Sequence, residues 1–448
     1  MRSLVFLFGS ALFFLPGTSL ANHLRGGQIR VIPQDDPLTC VIEVTVYTNI
    51  FSDVRFGEGL LDFGDGSTFT TPTVQNTPRP DLFYDVGIVT YSTTHTYASP
   101  GTYLVSYLEP NIPTGILNIP NSDGNRFYME TYFVLSSTGS HASPEFPAIP
   151  IFHWQSNLAY SFSTAAIDND SNEFFYKYRL VTDPKQINGF RLPANLKINS
   201  NNGLVTWDTE FDGAIVQGQI WIVIKVERYS KEGLFLGYIT RPMQIIVEDN
   251  SSTLDLVGSF EKTNNKVVVT DGAQKVVTVV MSDAGDFSNV HFELYVSEKI
   301  AQNVTLEQYD SLAGKFRIAK LSFNTTSDIV SDLPYPVILR GISFFRKDIS
   351  FLYMTKDVPL PVVPVIVSGL EGMNLSEPEL MVYPNPFHSE LYVDGTEAIF
   401  INALGNVMMR SPLTKGEPVN TSALPVGFYI LQVVDEIGTR KNIRLIRN

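Results

Sequence analysis

Short runs rich in Val, Ile, Thr, Tyr and Phe recur along this chain, and clusters of Gly, Pro, Asn and Asp separate them. That rhythm constrains the fold more than any other feature. Runs of four to eight β-branched and aromatic residues bounded by turn formers read as strands and hairpins. Neither a heptad array nor a long amphipathic helix interrupts them. Cys40-Val41-Ile42-Glu43-Val44-Thr45-Val46-Tyr47 alternates residue by residue, as does the stretch after Pro100-Gly101. The chain reads as all-β, a series of tandem β-sandwich modules with a small C-terminal β-sandwich. Its 448 residues suffice for three or four such units.

Composition narrows the function classes. Aromatics make up 12% and charged residues 17%, so the chain carries enough apolar surface to fold. A net charge of −14 excludes the basic surface that nucleic-acid binding requires. Cys40 is the sole cysteine, so no internal disulfide exists and each module depends on packing. Cys40 itself, inside an apolar run, reads as buried filler. Residues 1–21 read as a cleaved secretory signal: Arg2, an apolar core from Leu4 to Leu15, and Ser19-Leu20-Ala21 as a small-x-small site. The alternative, a membrane anchor, needs about 20 apolar residues. No later run qualifies, and Pro359, Pro361 and Pro364 break the most apolar one, so the mature chain is expected to have no transmembrane span.

Asp62-Phe63-Gly64-Asp65-Gly66 and His95-Thr96-Tyr97-Ala98-Ser99-Pro100-Gly101-Thr102-Tyr103 supply dense turn chemistry followed by a strand. These two blocks resemble the PKD-type β-sandwich, with Leu61 where such domains usually carry Trp. With His23-Leu24, Gly26-Gly27 and Gly115 to Ser122, the region 22–138 also resembles the N-terminal part of large surface proteins of gliding bacteria. Within the PKD pattern His95 has a structural task. After a Ser/Gly/Pro-rich stretch at 136–150, expected as a linker, residues 145–249 carry an Asp168-Asn169-Asp170 loop, Leu192-Pro193, Leu196-Lys197-Ile198 and Gly203-Leu204-Val205-Thr206-Trp207. This resembles bacterial cadherin-like and immunoglobulin-like repeats. A third module, 251–367, matches no family by its residues. Within it Lys266 to Val269 and Val276 to Val280 flank Asp271-Gly272 as a hairpin candidate, and Leu360 to Val367 reads as a Pro-marked edge strand.

The last 69 residues, 380–448, open on Tyr383-Pro384-Asn385-Pro386-Phe387. They continue through Leu391-Tyr392-Val393, Gly405-Asn406-Val407, Asn420-Thr421-Ser422 and Leu424-Pro425, then Gly427, Tyr429 and Leu431, to a basic end. The two prolines make an extended lead-in, Leu391 and Val393 share one strand face, and Gly405-Asn406 is hairpin chemistry. The pattern resembles the C-terminal sorting domain of type IX secretion. The resemblance implies export to the outside or the outer-membrane surface of a Gram-negative bacterium, with the secretion machinery as partner.

The sequence contains no His-Glu-x-x-His and no Gly-x-Ser-x-Gly, and its six histidines stand singly, so no catalytic residue is assigned. Asp168, Asp170 and Glu173 are calcium candidates, since an Asp-x-Asp loop offers the oxygen ligands that ion prefers. The same loop also reads as an acidic β-turn held by Asx hydrogen bonds. No other cofactor is expected. The chain reads as an exported surface protein for adhesion, scaffolding or matrix contact, with a protein or glycan ligand. The alternative is a secreted hydrolase acting on polysaccharide or protein, whose catalytic groups would meet only in space.

Overall fold

The computed structural model describes residues 24–52, 57–79, 85–137, 140–156, 160–168, 173–248, 254–258, 265–283, 291–311, 316–342, 346–361, 382–383, 387–393, 396–402, 406–414, 417–434 and 440–447. The expected signal segment, Asp170, the stretch after Pro361 expected as an edge strand and linker, and Pro384 to Pro386 lie outside these residues. The fold is all-β: strands make up its regular structure, with three single-turn 3-10 segments among the described residues. No helix of the described residues is long and apolar enough to cross a membrane.

One strand, Phe235–Glu248, organises the first half of the molecule. One of its edges pairs along its length with Gly218–Ser230, from Gly218↔Val247 to Tyr229↔Phe235. Its other edge is divided among three partners. Gly237 to Ile239 pair with Thr131 to Phe133, Met243 pairs with Gly26, and Gln244 to Glu248 run parallel to Ile151–Gln155. A single twelve-stranded sheet therefore runs from the region 22–138 into the following one, across the stretch expected as a linker. The two backbones meet closely at Gly237. A Cβ there would lie 2.2 Å from the Tyr132 carbonyl oxygen, so only glycine permits the approach.

The cores follow this stitching. Val44, Leu61, Tyr107 and Phe127 enclose a core with Trp221 and Val223, which come from the later region. A second core runs from Trp154, Phe162 and Trp207 through Ile245 to Phe323, Phe351 and Tyr353 in the third region. Cys40 is fully buried, as the apolar run predicts, and burial raises its thiol above the usual range.

The third region packs two four-stranded sheets face to face. Here the expected hairpin at Asp271-Gly272 is corrected. Lys266–Val268 runs parallel to Arg346–Met354, whereas Gln274–Asp283 pairs with Arg317–Asn324 in the opposite sheet. The turn is an arch between layers: Val269 donates to Met354, and Gly272 donates to Thr325. Turn residues permit a reversal, but packing decides whether the two arms pair with each other. Leu360 and Pro361, the described start of the expected edge strand, have no strand pairing.

The tail builds its own core from Phe387, Leu391, Val393, Phe400, Leu431 and Leu445. Glu397–Asn402 pairs with Val407–Pro412, as the turn chemistry predicts, and with Gly427–Val434. Arg447 fastens the end of the chain by donating to the carbonyls of His388, Ser422 and Leu424.

Candidate functional sites

The Asp62 to Ser67 turn is explained by its own hydrogen bonds. Asp62 Oδ1 accepts from the Gly64 amide at 2.8 Å, and Asp65 Oδ1 accepts from the Ser67 amide and hydroxyl at 3.0 and 2.5 Å. His95 Nε2 lies 2.7 Å from Asp65 Oδ2, and its ring stacks on Phe63 at 4.0 Å. Burial opposes ionisation of Asp65, but the Ser67 bonds and His95 outweigh it and hold its carboxyl at about 2. The Tyr97 hydroxyl closes the unit on the Phe63 carbonyl. His95 thus clamps a turn to the sheet, and Leu61 is fully buried beneath.

Asp168 lies at the rim of a cleft between the second and third regions, beside Lys177, Tyr335, Leu352 and Pro361. Its Oδ2 accepts from the Tyr176 hydroxyl at 2.8 Å. Burial keeps that phenol well above its ordinary pKa, so it remains the donor. Glu173 is exposed and opens on a separate basin shared with Glu232, Asp332 and Lys356. Among the described residues, no group of three His, Cys, Asp or Glu side chains converges as a metal site.

The cleft beside Asp168 has a free volume of about 40 Å³, room for about one water. Pockets for drug-sized ligands run to roughly 300 Å³ and more. The cleft is a seam. Lys177 Nζ donates to Asn201 Oδ1 at 2.7 Å and to the Pro361 carbonyl at 2.8 Å, and burial pushes its pKa down. Behind it lies a buried polar network that local spacing did not announce. Arg340 grips Asp348 with two bonds, Nε to Oδ1 at 2.8 Å and Nη2 to Oδ2 at 3.1 Å, with side-chain exposures of 4% and 1%. Asp348 Oδ2 also accepts from the Ser163 amide of the second region at 2.9 Å. The Ser161 hydroxyl donates to the Asp348 carbonyl, and the Ser350 hydroxyl to Ser163 Oγ. One carboxylate thus joins both regions.

Trp154, Trp207 and Trp221 are buried to 2% exposure or less, so none of them forms a surface platform.

No family model matches the chain, and no curated protein matches it. Among solved structures it is similar to the N-terminal eight Ig domains of Down Syndrome Cell Adhesion Molecule isoform 1.30.30. That match has 9% identity and a TM-score of 0.17 over 91% of this chain and 47% of the other. The chain therefore spans about half the length of that neighbour. It is also similar to the human Desmocollin-1 ectodomain, at 11% identity and a TM-score of 0.19 over 90% of this chain and 76% of the other. At such TM-scores the likeness carries no inference about how this chain works.

Proposed function

We propose that the chain is an exported surface protein that binds or scaffolds, delivered by type IX secretion through residues 380–448. The observation that carries the reading is the stitched body. The strand Phe235–Glu248 serves both expected sandwich regions, and the Arg340–Asp348 network ties on the third. Such a body holds its loops and sheet faces in fixed relation, and preorganised surfaces lose less entropy on binding. The tail, with a core of its own, fits a separable address.

Two measurements test the reading. Deleting residues 381–448 should leave the protein in the periplasm, and surface delivery of the truncated chain would refute the address. Purified protein is then applied to polysaccharide, glycoprotein and protein panels, scoring retention and product release in the same samples. Retention without product supports a binder. Sustained product release that is lost on changing one acidic or hydroxyl residue, with the fold intact, would transfer the function to a hydrolase.

A further inference from the structure

A second concavity opens at the margin of the first core, beside Ile187 and Val223. It has about 190 Å³ of free volume. Its floor is apolar, formed by Val181, Pro184, Ile187 and Val223. Three strands and one loop form it: Tyr128 and Glu130 on Phe127–Leu135, Thr240 on Phe235–Glu248, Lys225 on Gly218–Ser230, and Asp183 and Lys185 on the loop after Leu180.

The polar groups of this groove divide into satisfied and available. Glu130 is satisfied: Oε2 accepts from Tyr128 at 2.5 Å and Lys185 at 2.8 Å, and Oε1 accepts from the Tyr238 hydroxyl at 2.8 Å. Burial would raise its carboxyl, but those three donors lower it, so it stays ionised as an anchor. Lys225 is available. Its ammonium lies 3.3 Å from the centre of the Tyr238 ring, whose other face is stacked by Tyr132. Half-buried against that ring, it has no hydrogen-bond acceptor among the described residues, so the N–H donors turned away from the ring are left for a ligand in the groove. Asp183 is exposed and carries no ion pair or hydrogen bond among the described residues, which leaves an acceptor across the floor.

We infer that this groove binds a carboxylated sugar unit of the uronic-acid type. The carboxylate takes the Lys225 ammonium, the hydroxyls donate to Asp183, and the C–H face of the ring rests on the apolar floor. The volume suits one terminal or side-branch unit, not a long chain. The inference deepens the binding reading above and rests on it.

The charged groups around Lys225 are Arg179, Glu227, Glu130 and Lys185, with Asp183 across the groove and the Tyr238 phenol held protonated by burial. Burial first, then Arg179, brings the Lys225 ammonium down to about 8. Above that pH the free site loses its charge, so carboxylate affinity should fall between pH 7 and 9.5. An ordinary surface lysine would hold its charge to about 10.

The test is titration of the purified full chain with sodium glucuronate, glucose, methyl glucuronate and acetate, by calorimetry or ligand-observed NMR. Glucuronate should bind most tightly. Lys225→Met keeps the stem and should weaken it about tenfold or more, the scale of one charge-assisted bond. Lys225→Arg should retain most of the affinity and lose the pH dependence near 8. Asp183→Asn should weaken glucuronate while leaving acetate unchanged. Melting curves establish that each variant folds. Glucose or acetate binding as well as glucuronate, or full affinity in Lys225→Met, overturns the inference. If the chain is retained on a panel while glucuronate fails to bind, this site is wrong and the binding reading stands. If retention fails as well, both fall.

Discussion

Replacing Arg340 by Met should destabilise the seam between the second and third regions by about 3–5 kcal/mol, the cost of stranding one partner of a buried ion pair. The structure shows why the cost reaches that range. Asp348 is 1% exposed, and after the change its carboxylate keeps, among the described residues, the Ser163 amide at 2.9 Å and loses two charge-assisted bonds at 2.8 and 3.1 Å. Water has little access to replace them. Adding Asp348→Leu removes the stranded charge. The double variant should then recover most of the loss and retain about 1–3 kcal/mol for the orphaned Ser163 amide. The two changes are thus strongly non-additive. Hydrogen exchange by mass spectrometry gives the local readout, because the Ser163 amide is bonded to the affected carboxylate. Exchange at Ser163 should accelerate in Arg340→Met, with urea midpoints following the global effect. If the single variant stays within about 1 kcal/mol of the parent and Ser163 protection is unchanged, the network does not hold the regions together.

Gly237→Ala should cost about 3 kcal/mol or more and loosen Thr131 to Phe133, because its Cβ would meet the Tyr132 carbonyl oxygen at 2.2 Å. Gly213→Ala, with open space around it at φ +76°, should cost only about 1–2 kcal/mol of left-handed strain in the same urea titration. Asp65 is held at about 2, below its unfolded value, so its contribution is complete above about pH 4 and is lost as pH falls through about 2. Asp65→Asn should flatten that limb of an acid melt. Calcium, if it binds the native Asp168–Glu173 loop, should raise the melting temperature, by about 2.7 kcal/mol of added stability at a hundredfold excess over Kd. An equal shift in Asp168→Asn, Asp170→Asn would return the loop to a plain turn.

Legibility in the sequence follows the range of the interactions. The alternation around Val44, the shared face of Leu391 and Val393, and the Asp62 to Ser67 turn are local, and all three stand as residue patterns predict. The structural task of His95 was legible through the resemblance to the PKD-type pattern, and its partner Asp65, thirty residues upstream, came only with the fold. The arch at Asp271-Gly272 was not, because the same turn chemistry serves a hairpin or a layer crossing, and only the distant strands Arg317–Asn324 and Arg346–Met354 decide between them. The seam escaped for the same reason: Ser163 and Asp348 meet across two regions that look separable in sequence. Lys225 reads as an ordinary strand lysine until Tyr238, Asp183 and the loop at Pro184 are brought around it.

The divided edge of Phe235–Glu248 also sets an order of events during biogenesis. Synthesis proceeds from the N-terminus, yet Gly26 and Thr131, paired on one side with Tyr47 and Val105, find the partners of their other side in Met243 and Ile239. Until that strand arrives, the early sheet has an unpaired margin of the kind that invites misassembly. Pairings so distant along the chain also form slowly, since their loops must close before contacts stabilise them. The nascent protein therefore has a window in which a chaperone guarding the exposed edge Phe127–Leu135 would raise the yield, and truncations ending before residue 235 should aggregate where the longer chain folds.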